Sequence, residues 1–232
     1  MDEIGKRGRI ERPFVWVGGG LFVGSLALTA WCYAVVWSQV LPFTGWAVVL
    51  YDAMLFALFA VHHSVLARTW AKRALSAVVP ERLVRSFYVW VASLLLIAVL
   101  AGWREVGGVI YHTSGVLRVV HAAIQLLGLW LIADAVRAID GLELAGIRED
   151  STSALQTHGP YHLVRHPLYL GWILIAFGAA FMTGDRLAFA VITSLYLFLA
   201  VPWEERSLER SFGEEYARYK QRVRWRIVPY VY

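Results

Sequence analysis

Charged residues are scarce in this chain, and cysteine is almost absent. Asp, Glu, Lys and Arg make up 17% of the 232 residues, whereas hydrophobic residues make up 59%. An average soluble domain has about 25% charged residues. The composition therefore excludes an ordinary soluble enzyme and indicates a polytopic membrane protein. The single cysteine, Cys32, excludes an intrachain disulfide.

The formal net charge of +5 is only weak evidence for a nucleic-acid partner. The Lys and Arg residues lie in loops beside apolar segments, which is the distribution that the positive-inside rule describes. We therefore predict no nucleic-acid partner, and we expect membrane lipid to surround the chain.

Six apolar segments indicate transmembrane helices. They are Trp16–Val40, Trp46–Leu66, Phe87–Trp103, Val116–Ile139, Leu168–Thr183 and Leu187–Val201. A helix needs about 20 residues to cross the hydrocarbon core of a bilayer. The first four segments are long enough, whereas the last two are short and are separated only by Gly184–Arg186. The sequence predicts an all-α integral membrane protein of about six transmembrane helices, the last two forming a short helical hairpin.

Basic residues are concentrated in residues 1–12, in the connection after the second segment and in the C-terminal tail. By the positive-inside rule, six crossings with both termini in the cytoplasm satisfy every loop. We expect a bacterial inner-membrane protein with a single membrane domain, residues 1–232. Within it, residues 1–140 form an N-terminal helical half and residues 141–232 form the half that carries the site.

The C-terminal tail has the periodicity of an amphipathic helix. Leu208, Phe212, Tyr216 and Tyr219 recur at spacings of four, four and three, which places them on one face. Gly213 is expected to break or bend this helix. We predict a cytoplasmic C-terminal helix.

Two polar clusters lie beside apolar helices. Residues 158–171 contain three histidines, an arginine and two tyrosines, and residues 202–206 contain an acidic pair, Glu204 and Glu205. Ionisable groups at a membrane boundary are costly to keep there, so they suggest a functional site. The predicted topology places both clusters on the cytoplasmic side, where we expect them to form one site.

These clusters carry recognisable motifs. Gly-Pro-Tyr-x-x-x-Arg-His-Pro-x-Tyr-x-Gly occupies Gly159–Gly171, an acidic pair followed by Phe-Gly-x-x-Tyr-x-x-Tyr occupies Glu204–Tyr219, and Arg-Val-x-x-x-Ile-x-Pro occupies Arg222–Pro229. Together they resemble the membrane methyltransferases that include isoprenylcysteine carboxyl methyltransferase and the phospholipid N-methyltransferases. The segments His63–Arg68 and Arg85–Tyr88 are similar to the NnrU-like branch, which includes bacterial methanethiol S-methyltransferases.

The resemblance implies S-adenosylmethionine as cofactor, S-adenosylhomocysteine as product and no metal. The residues that it implies for cofactor binding are Gly159, Tyr161, Val164, Arg165, His166, Pro167, Tyr169, Gly171, Glu204 and Glu205. Arg165 is expected to pair with the methionyl carboxylate, and Glu204 or Glu205 to accept from ribose hydroxyls or the amino group. Glu204 and Arg210 are the predicted catalytic residues, with Arg210 holding an anionic nucleophile.

The resemblance favours S-methylation of a small or lipophilic thiol. Carboxyl methylation of isoprenylcysteine and N-methylation of a lipid amine are the alternatives within the class. A non-enzymatic alternative is a haem-binding or transport-linked subunit that uses His63, His121 or His166. Interhelical hydrogen bonding accounts for Asp52 and Gln125 at least as well as substrate contact does.

Overall fold

Helices make up most of the chain in the computed structural model, which describes residues 11–66, 68–139, 141–147 and 154–232. The chain divides into two compact units. The first unit takes its described residues from 1–37, 45–105 and 140–153, and the second unit takes them from 38–44, 106–139 and 154–232.

The first unit contains helices α1 (Glu11–Ala34), α2 (Trp46–Leu66), α3 (Thr69–Leu75), α4 (Glu81–Gly102) and α6 (Gly141–Leu144). Helix α1 packs along α4, where the indole Nε1 of Trp90 donates to the carbonyl oxygen of Phe14 at 2.9 Å. The Ser86 hydroxyl donates to the carbonyl oxygen of Gly146 at 2.6 Å, which ties the segment after α6 to α4.

The second unit contains strand β1 (Val109–His112), helix α5 (Gly115–Ile139), a 3-10 turn (Gly159–His162), helix α7 (Pro167–Phe177), strand β2 (Phe181–Thr183), helix α8 (Gly184–Phe212) and helix α9 (Glu214–Arg222). Helices α5 and α7 approach closely because glycines face each other. A Cβ atom added to either Gly128 or Gly171 would lie 2.7 Å from the carbonyl oxygen of the other. The backbones therefore touch where neither helix carries a side chain.

Three connections meet at one end of the second unit. The amide of Thr44 donates to the carbonyl oxygen of Val106 at 3.0 Å. The carboxylate of Asp185 accepts from the amides of Val106 and Gly107 at 2.8 and 2.9 Å. Strands β1 and β2 pair antiparallel beside them, with Val109 opposite Thr183. Residues 38–44, 106–113 and 178–185 thus form one hydrogen-bonded group.

The predicted short hairpin is wrong in both halves. Helix α7 ends at Phe177, and Phe181–Thr183, predicted as its last residues, form strand β2. Gly184–Arg186 do not form the loop but open α8, whose N-cap Thr183 accepts from the Arg186 amide at 3.3 Å. Helix α8 has 29 residues and continues through Pro202. Polar residues can begin a buried helix here because Asp185 binds two backbone amides and Arg186 Nη1 donates to the carbonyl oxygen of Phe181 at 2.6 Å.

Other predicted elements hold with smaller changes. Helix α2 spans the predicted residues, α5 begins one residue early and α4 begins six residues early, at Glu81. The pair β1–β2 adds a two-stranded sheet to a fold predicted as all-α. Gly213, at φ 51°, separates α8 from α9, as expected. Tyr216 and Tyr219 pack with Leu208 and Phe212, which confirms the apolar stripe.

Within the described residues, five helices are long and apolar enough to span a membrane: α1 with the turn that follows it, α2, α4, α5 and α8. Helix α7 is shorter. Its 11 residues extend about 16 Å at 1.5 Å per residue, against a hydrocarbon core of about 30 Å. The protein is therefore mostly helical, with five helices of spanning length and one shorter apolar helix.

Candidate active site

Arg165 and Glu205 join the two polar clusters of the sequence. Arg165 lies between the 3-10 turn and α7, whereas Glu205 lies on α8. The Arg165 Nε donates to Glu205 Oε1 at 2.6 Å, and the side chains are only 7% and 6% exposed. The loop and the acidic pair are therefore in direct contact within the second unit.

Arg165 also holds the segment that follows α9. Its Nη1 donates to the carbonyl oxygens of Val223 and Arg224, both at 2.8 Å. The amides of Arg165 and His166 donate to the carbonyl oxygens of Trp225 and Arg226 at 2.9 and 2.8 Å. Among the described residues, Nη2 is the guanidinium nitrogen of Arg165 that makes no hydrogen bond. Most of the donor capacity of this arginine is thus used inside the protein.

Arg226 is a site residue that the sequence reasoning missed. Its Nε donates to Glu205 Oε2 at 3.1 Å and its Nη1 donates to the Tyr232 hydroxyl at 3.0 Å. Burial acts to lower the pKa of Arg226, but the Glu205 carboxylate and the Tyr232 hydroxyl together raise it above its usual value. Both oxygens of Glu205 are therefore bound by arginines. The sequence contains a signal that could have identified Arg226, since this residue lies inside the Arg222–Pro229 motif.

Glu204 has a different environment. Its side chain is 44% exposed, and its Oε2 accepts from the Tyr169 hydroxyl at 2.7 Å. The same oxygen lies 3.5 Å from His166 Nδ1, and the His166 ring stacks on Tyr169 with centroids 5.4 Å apart. Of the acidic pair, Glu204 is the carboxylate that a ligand can reach.

His166 has one unsatisfied ring nitrogen. Its side chain is 4% exposed, and within the described part of the chain its buried Nε2 has no hydrogen-bond partner. The nearest carboxylate oxygen recorded, Glu205 Oε1, is 3.6 Å away, which is too long for a hydrogen bond. A buried polar atom without a hydrogen-bond partner is uncommon in folded proteins, and this one faces the Glu205 carboxylate.

Buried tyrosines support the site from α9. The Tyr219 hydroxyl donates to the carbonyl oxygen of Tyr161 at 2.6 Å, and burial raises the pKa of Tyr219 to about 12. Burial, with the nearby charge of Glu204, also raises the pKa of Tyr161. These hydroxyls are neutral at physiological pH, so they position backbone rather than carry charge.

Four of the predicted cofactor residues shape the backbone. Gly159 has φ 59°, a left-handed conformation that favours glycine. Pro167 is the first residue of α7, where a missing amide costs no helical hydrogen bond. Val164 is 1% exposed, and Gly171 is the glycine that packs against α5.

Arg210 lies on α8 beyond the acidic pair and is exposed. Within the described residues, no hydrogen bond or ion pair links it to Glu204. The structure thus brings together Arg165, His166, Tyr169 and the acidic pair, whereas Arg210 stands apart from them.

A family model described as phospholipid methyltransferase matches residues 116–215 of this chain. Methanethiol S-methyltransferase 2 of Bradyrhizobium diazoefficiens is 36% identical over 185 residues, which cover 75% of this chain and 71% of the relative. Methanethiol S-methyltransferase of Mycobacterium tuberculosis is 33% identical over 189 residues, which cover 77% of each chain.

Protein-S-isoprenylcysteine O-methyltransferase B of Arabidopsis thaliana is 35% identical over 83 residues, which cover 34% of this chain and 42% of the relative. No solved structure matches the chain. Apolar helices of spanning length together with these matches define the class as a membrane methyltransferase. The chain belongs to the family of the methanethiol S-methyltransferases, which confirms the resemblance predicted from the motifs.

Proposed function

We propose that this protein is an integral membrane enzyme that transfers a methyl group from S-adenosylmethionine to the sulfur of a small thiol such as methanethiol. The named activity of relatives that match over three quarters of the chain supports this substrate class. The structural observation that carries the proposal is the reachable Glu204 carboxylate, which accepts from the Tyr169 hydroxyl and lies 3.5 Å from the Nδ1 of His166.

The site fits the chemical groups of the cofactor. S-Adenosylmethionine has a ribose diol and an ammonium group, both of which can donate hydrogen bonds to a protein carboxylate. Its own carboxylate requires hydrogen-bond donors from the protein. Glu204 is 44% exposed and ionisable, and the Nη2 of Arg165 has donor capacity left. His166 lies next to this carboxylate, with its Nδ1 3.5 Å from Glu204 Oε2. We assign cofactor binding to these residues, with Tyr161 and Glu205 as buried support.

When bound, the cofactor supplies an electrophilic methyl group on a sulfonium. The protein must then remove the proton of the substrate thiol, because the thiolate and not the thiol is the nucleophile. We assign acceptance of the thiol proton to Glu204. The Tyr169 hydroxyl donates to Glu204 Oε2 at 2.7 Å and fixes the carboxylate. Because the Glu204 side chain is exposed, the proton can pass from it to water. A positioned general base contributes about 10²–10⁴-fold to a rate.

The proposed role of Arg210 is to attract the anionic thiolate. It is exposed and lies in the same polar stretch of α8 as Glu204. A cation near the nucleophile favours its charged form. Since Arg210 makes no ion pair with Glu204 in the described residues, it remains available to an anionic ligand.

We further propose one methyltransferase domain, residues 1–232, that crosses the bacterial inner membrane six times with both termini in the cytoplasm. In this domain residues 141–232 supply the cofactor site. The hydrogen-bonded group of residues 38–44, 106–113 and 178–185 supports this topology, because it contains residues from each of the three connections expected outside, 41–45, 104–115 and 184–186. Single cysteines test it in a Cys32→Ser background. Val109→Cys should react with an impermeant maleimide in intact spheroplasts, whereas Val231→Cys should react only after permeabilisation; labelling of both from one side would contradict the topology.

Carboxyl methylation of isoprenylcysteine and N-methylation of a lipid amine have weaker support. The isoprenylcysteine relative matches only 34% of this chain, against 75% for the methanethiol relative. Membership of a methyltransferase family favours an enzyme over the haem-binding alternative.

The test is methyl transfer from labelled S-adenosylmethionine by the purified full chain to methanethiol, a prenylcysteine and phosphatidylethanolamine. We expect dimethyl sulfide as the main product and at least a 100-fold loss of kcat in Glu204→Gln. Glu214→Gln is the matched control, since this carboxylate is 95% exposed on α9. Preferential methylation of the prenylcysteine or the lipid, or full activity in Glu204→Gln, would overturn the proposal.

A further inference from the structure

A cavity lies in the second unit, and Glu204 is not among the described residues that line it. It has a volume of about 570 Å³ and is bounded by α5, α7, the 3-10 turn and residues 222–230. The described lining residues do not include His166 or Tyr169 either. We call it the α5–α7 groove. Its volume falls in the range of sites that hold ligands of many atoms, which is far more than a one-carbon thiol needs.

The floor of the α5–α7 groove is apolar. Leu131 of α5, Leu170 and Leu174 of α7, and Val164 contribute to it. Leu131 and Val164 are 4% and 1% exposed, so this floor is continuous with the packed interior of the unit. Such a surface suits a hydrocarbon chain, which gains about 0.8 kcal/mol for each CH₂ removed from water.

Three basic side chains line the groove. They are Arg222, Arg224 and His162, and no Asp or Glu lines it in the described part of the chain. Arg222 and Arg224 are exposed and flank the buried Val223, whose backbone is extended. Both arginines line the groove, so their side chains border the same cavity.

The basic residues around this pair already have carboxylate partners. Arg226 binds Glu205, Arg218 lies 3.7 Å from Glu214, and Lys220 pairs with Glu209. Among the described residues, neither Arg222 nor Arg224 has an ion pair. Two adjacent unneutralised arginines at the mouth of an apolar groove are complementary to a phosphate diester, which guanidinium groups bind in a forked geometry.

Aromatic residues complete the mouth. Trp130 is 52% exposed, and Tyr230 is 86% exposed and has φ 63°. A non-glycine residue in this left-handed region costs about 1 kcal/mol or more, yet the turn holds Tyr230 at the groove with its ring 5.3 Å from that of Trp225. Trp and Tyr are enriched at the level of lipid headgroups.

We propose that the α5–α7 groove binds an anionic phospholipid that is not the methyl acceptor, with its phosphate on Arg222 and Arg224 and an acyl chain along α5 and α7. Basic pockets between transmembrane helices on the cytoplasmic side bind lipid headgroups. The proposal does not depend on the methyl acceptor. It has a structural consequence, because the carbonyl oxygens of Val223 and Arg224 accept from Arg165. The lipid therefore stabilises the segment on which the buried Arg165 depends.

The test measures the melting temperature of the delipidated full chain in a neutral detergent. Phosphatidylglycerol, phosphatidylcholine, glycerol phosphate and inorganic phosphate are added separately. We expect phosphatidylglycerol to raise the melting temperature by about 5 °C at saturation. Phosphatidylcholine and the two soluble phosphates should have little effect.

Variants locate the effect. The double variant Arg222→Gln/Arg224→Gln should respond to phosphatidylglycerol no more than to phosphatidylcholine. Leu174→Trp, which fills the groove and keeps both charges, should also lose the response. Arg218→Gln, whose side chain is 68% exposed, is the matched control and should keep it.

Three results would overturn the proposal. An equal rise with phosphatidylcholine would show an apolar site without headgroup selection. An equal rise with glycerol phosphate or inorganic phosphate would show a site for a free anion. A full response to phosphatidylglycerol in either the double arginine variant or Leu174→Trp would place the lipid elsewhere.

Discussion

Glu204 and Glu205 are neighbours on α8, yet one is 44% exposed and the other is 6% exposed. Successive helical residues point about 100° apart, so one carboxylate faces the arginines and the other faces the entrance. Glu205 binds Arg165 and Arg226, whereas Glu204 binds the Tyr169 hydroxyl. One residue of the pair thus supports the fold, and we propose that the other performs the chemistry.

Removing the charge of Glu205 should destabilise the protein. In Glu205→Gln the buried Arg165 loses its carboxylate, and breaking a buried ion pair costs about 3–5 kcal/mol. Thermal unfolding in detergent should show a melting temperature at least 6 °C lower. Glu214→Gln, at a 95% exposed carboxylate, should change it by less than about 2 °C. A stable Glu205→Gln variant would contradict the role of Glu205 in the fold.

Tyr169→Phe separates the effect of the hydroxyl on Glu204 from the packing of the ring on His166. The variant keeps the ring that stacks on His166 and removes the hydroxyl that donates to Glu204 at 2.7 Å. A hydrogen bond to a charged group is worth about 1.5–3 kcal/mol, so kcat/KM should fall about 10- to 100-fold. Because Glu204 remains hydrated, the melting temperature should stay within about 2 °C. Unchanged kinetics would exclude Tyr169 from the reaction site.

Gly171→Ala tests the contact between α5 and α7. The new methyl group would lie 2.7 Å from the carbonyl oxygen of Gly128, so the helices must separate. Overpacking of this kind costs about 1–3 kcal/mol, which thermal unfolding will detect. Gly24→Ala is the control, since a Cβ there has no neighbour within 4 Å among the described residues. Equal melting temperatures for the two variants would show that the helices adjust freely.

Tyr219 should make stability depend on alkaline pH. Burial raises its pKa to about 12 in the folded chain, whereas the unfolded value is about 10. The folded state keeps the proton longer, so this contribution is complete below about pH 10 and is lost between about pH 10 and 12. In Tyr219→Phe the decline in stability over that interval should be shallower. Urea unfolding at several pH values measures it, and identical slopes would contradict the assignment.

Helices with uninterrupted apolar runs could be predicted from the sequence. Helix α2 coincides with its predicted range, and α5 differs by one residue, because a glycine or a charged residue lies within two residues of each end of both runs. The start of α8 could not be predicted in this way. Asp185 is typical of a loop, and the partner that buries it is the backbone at Val106, 79 residues earlier. A local pattern contains no information about such a partner.

The candidate site could likewise be predicted from the sequence only in part. The motifs identified Arg165, His166 and the acidic pair, and these residues lie together. The resemblance implies cofactor binding by Arg165, and the structure adds a second role, because its Nη1 donates to carbonyl oxygens 58 and 59 residues later. Backbone acceptors have no signature in a sequence, because every residue carries one. The role of Arg165 therefore required coordinates.

The bonds from Arg165 to Val223 and Arg224 also set an order of events during synthesis. When α7 leaves the ribosome, the partners of this guanidinium, on α8 and beyond α9, have not yet been translated. The loop before α7 must wait, hydrated or bound by a chaperone, until the last stretch of the chain arrives. Nascent chains halted before residue 223 should insert their earlier helices normally but should not form the candidate active site.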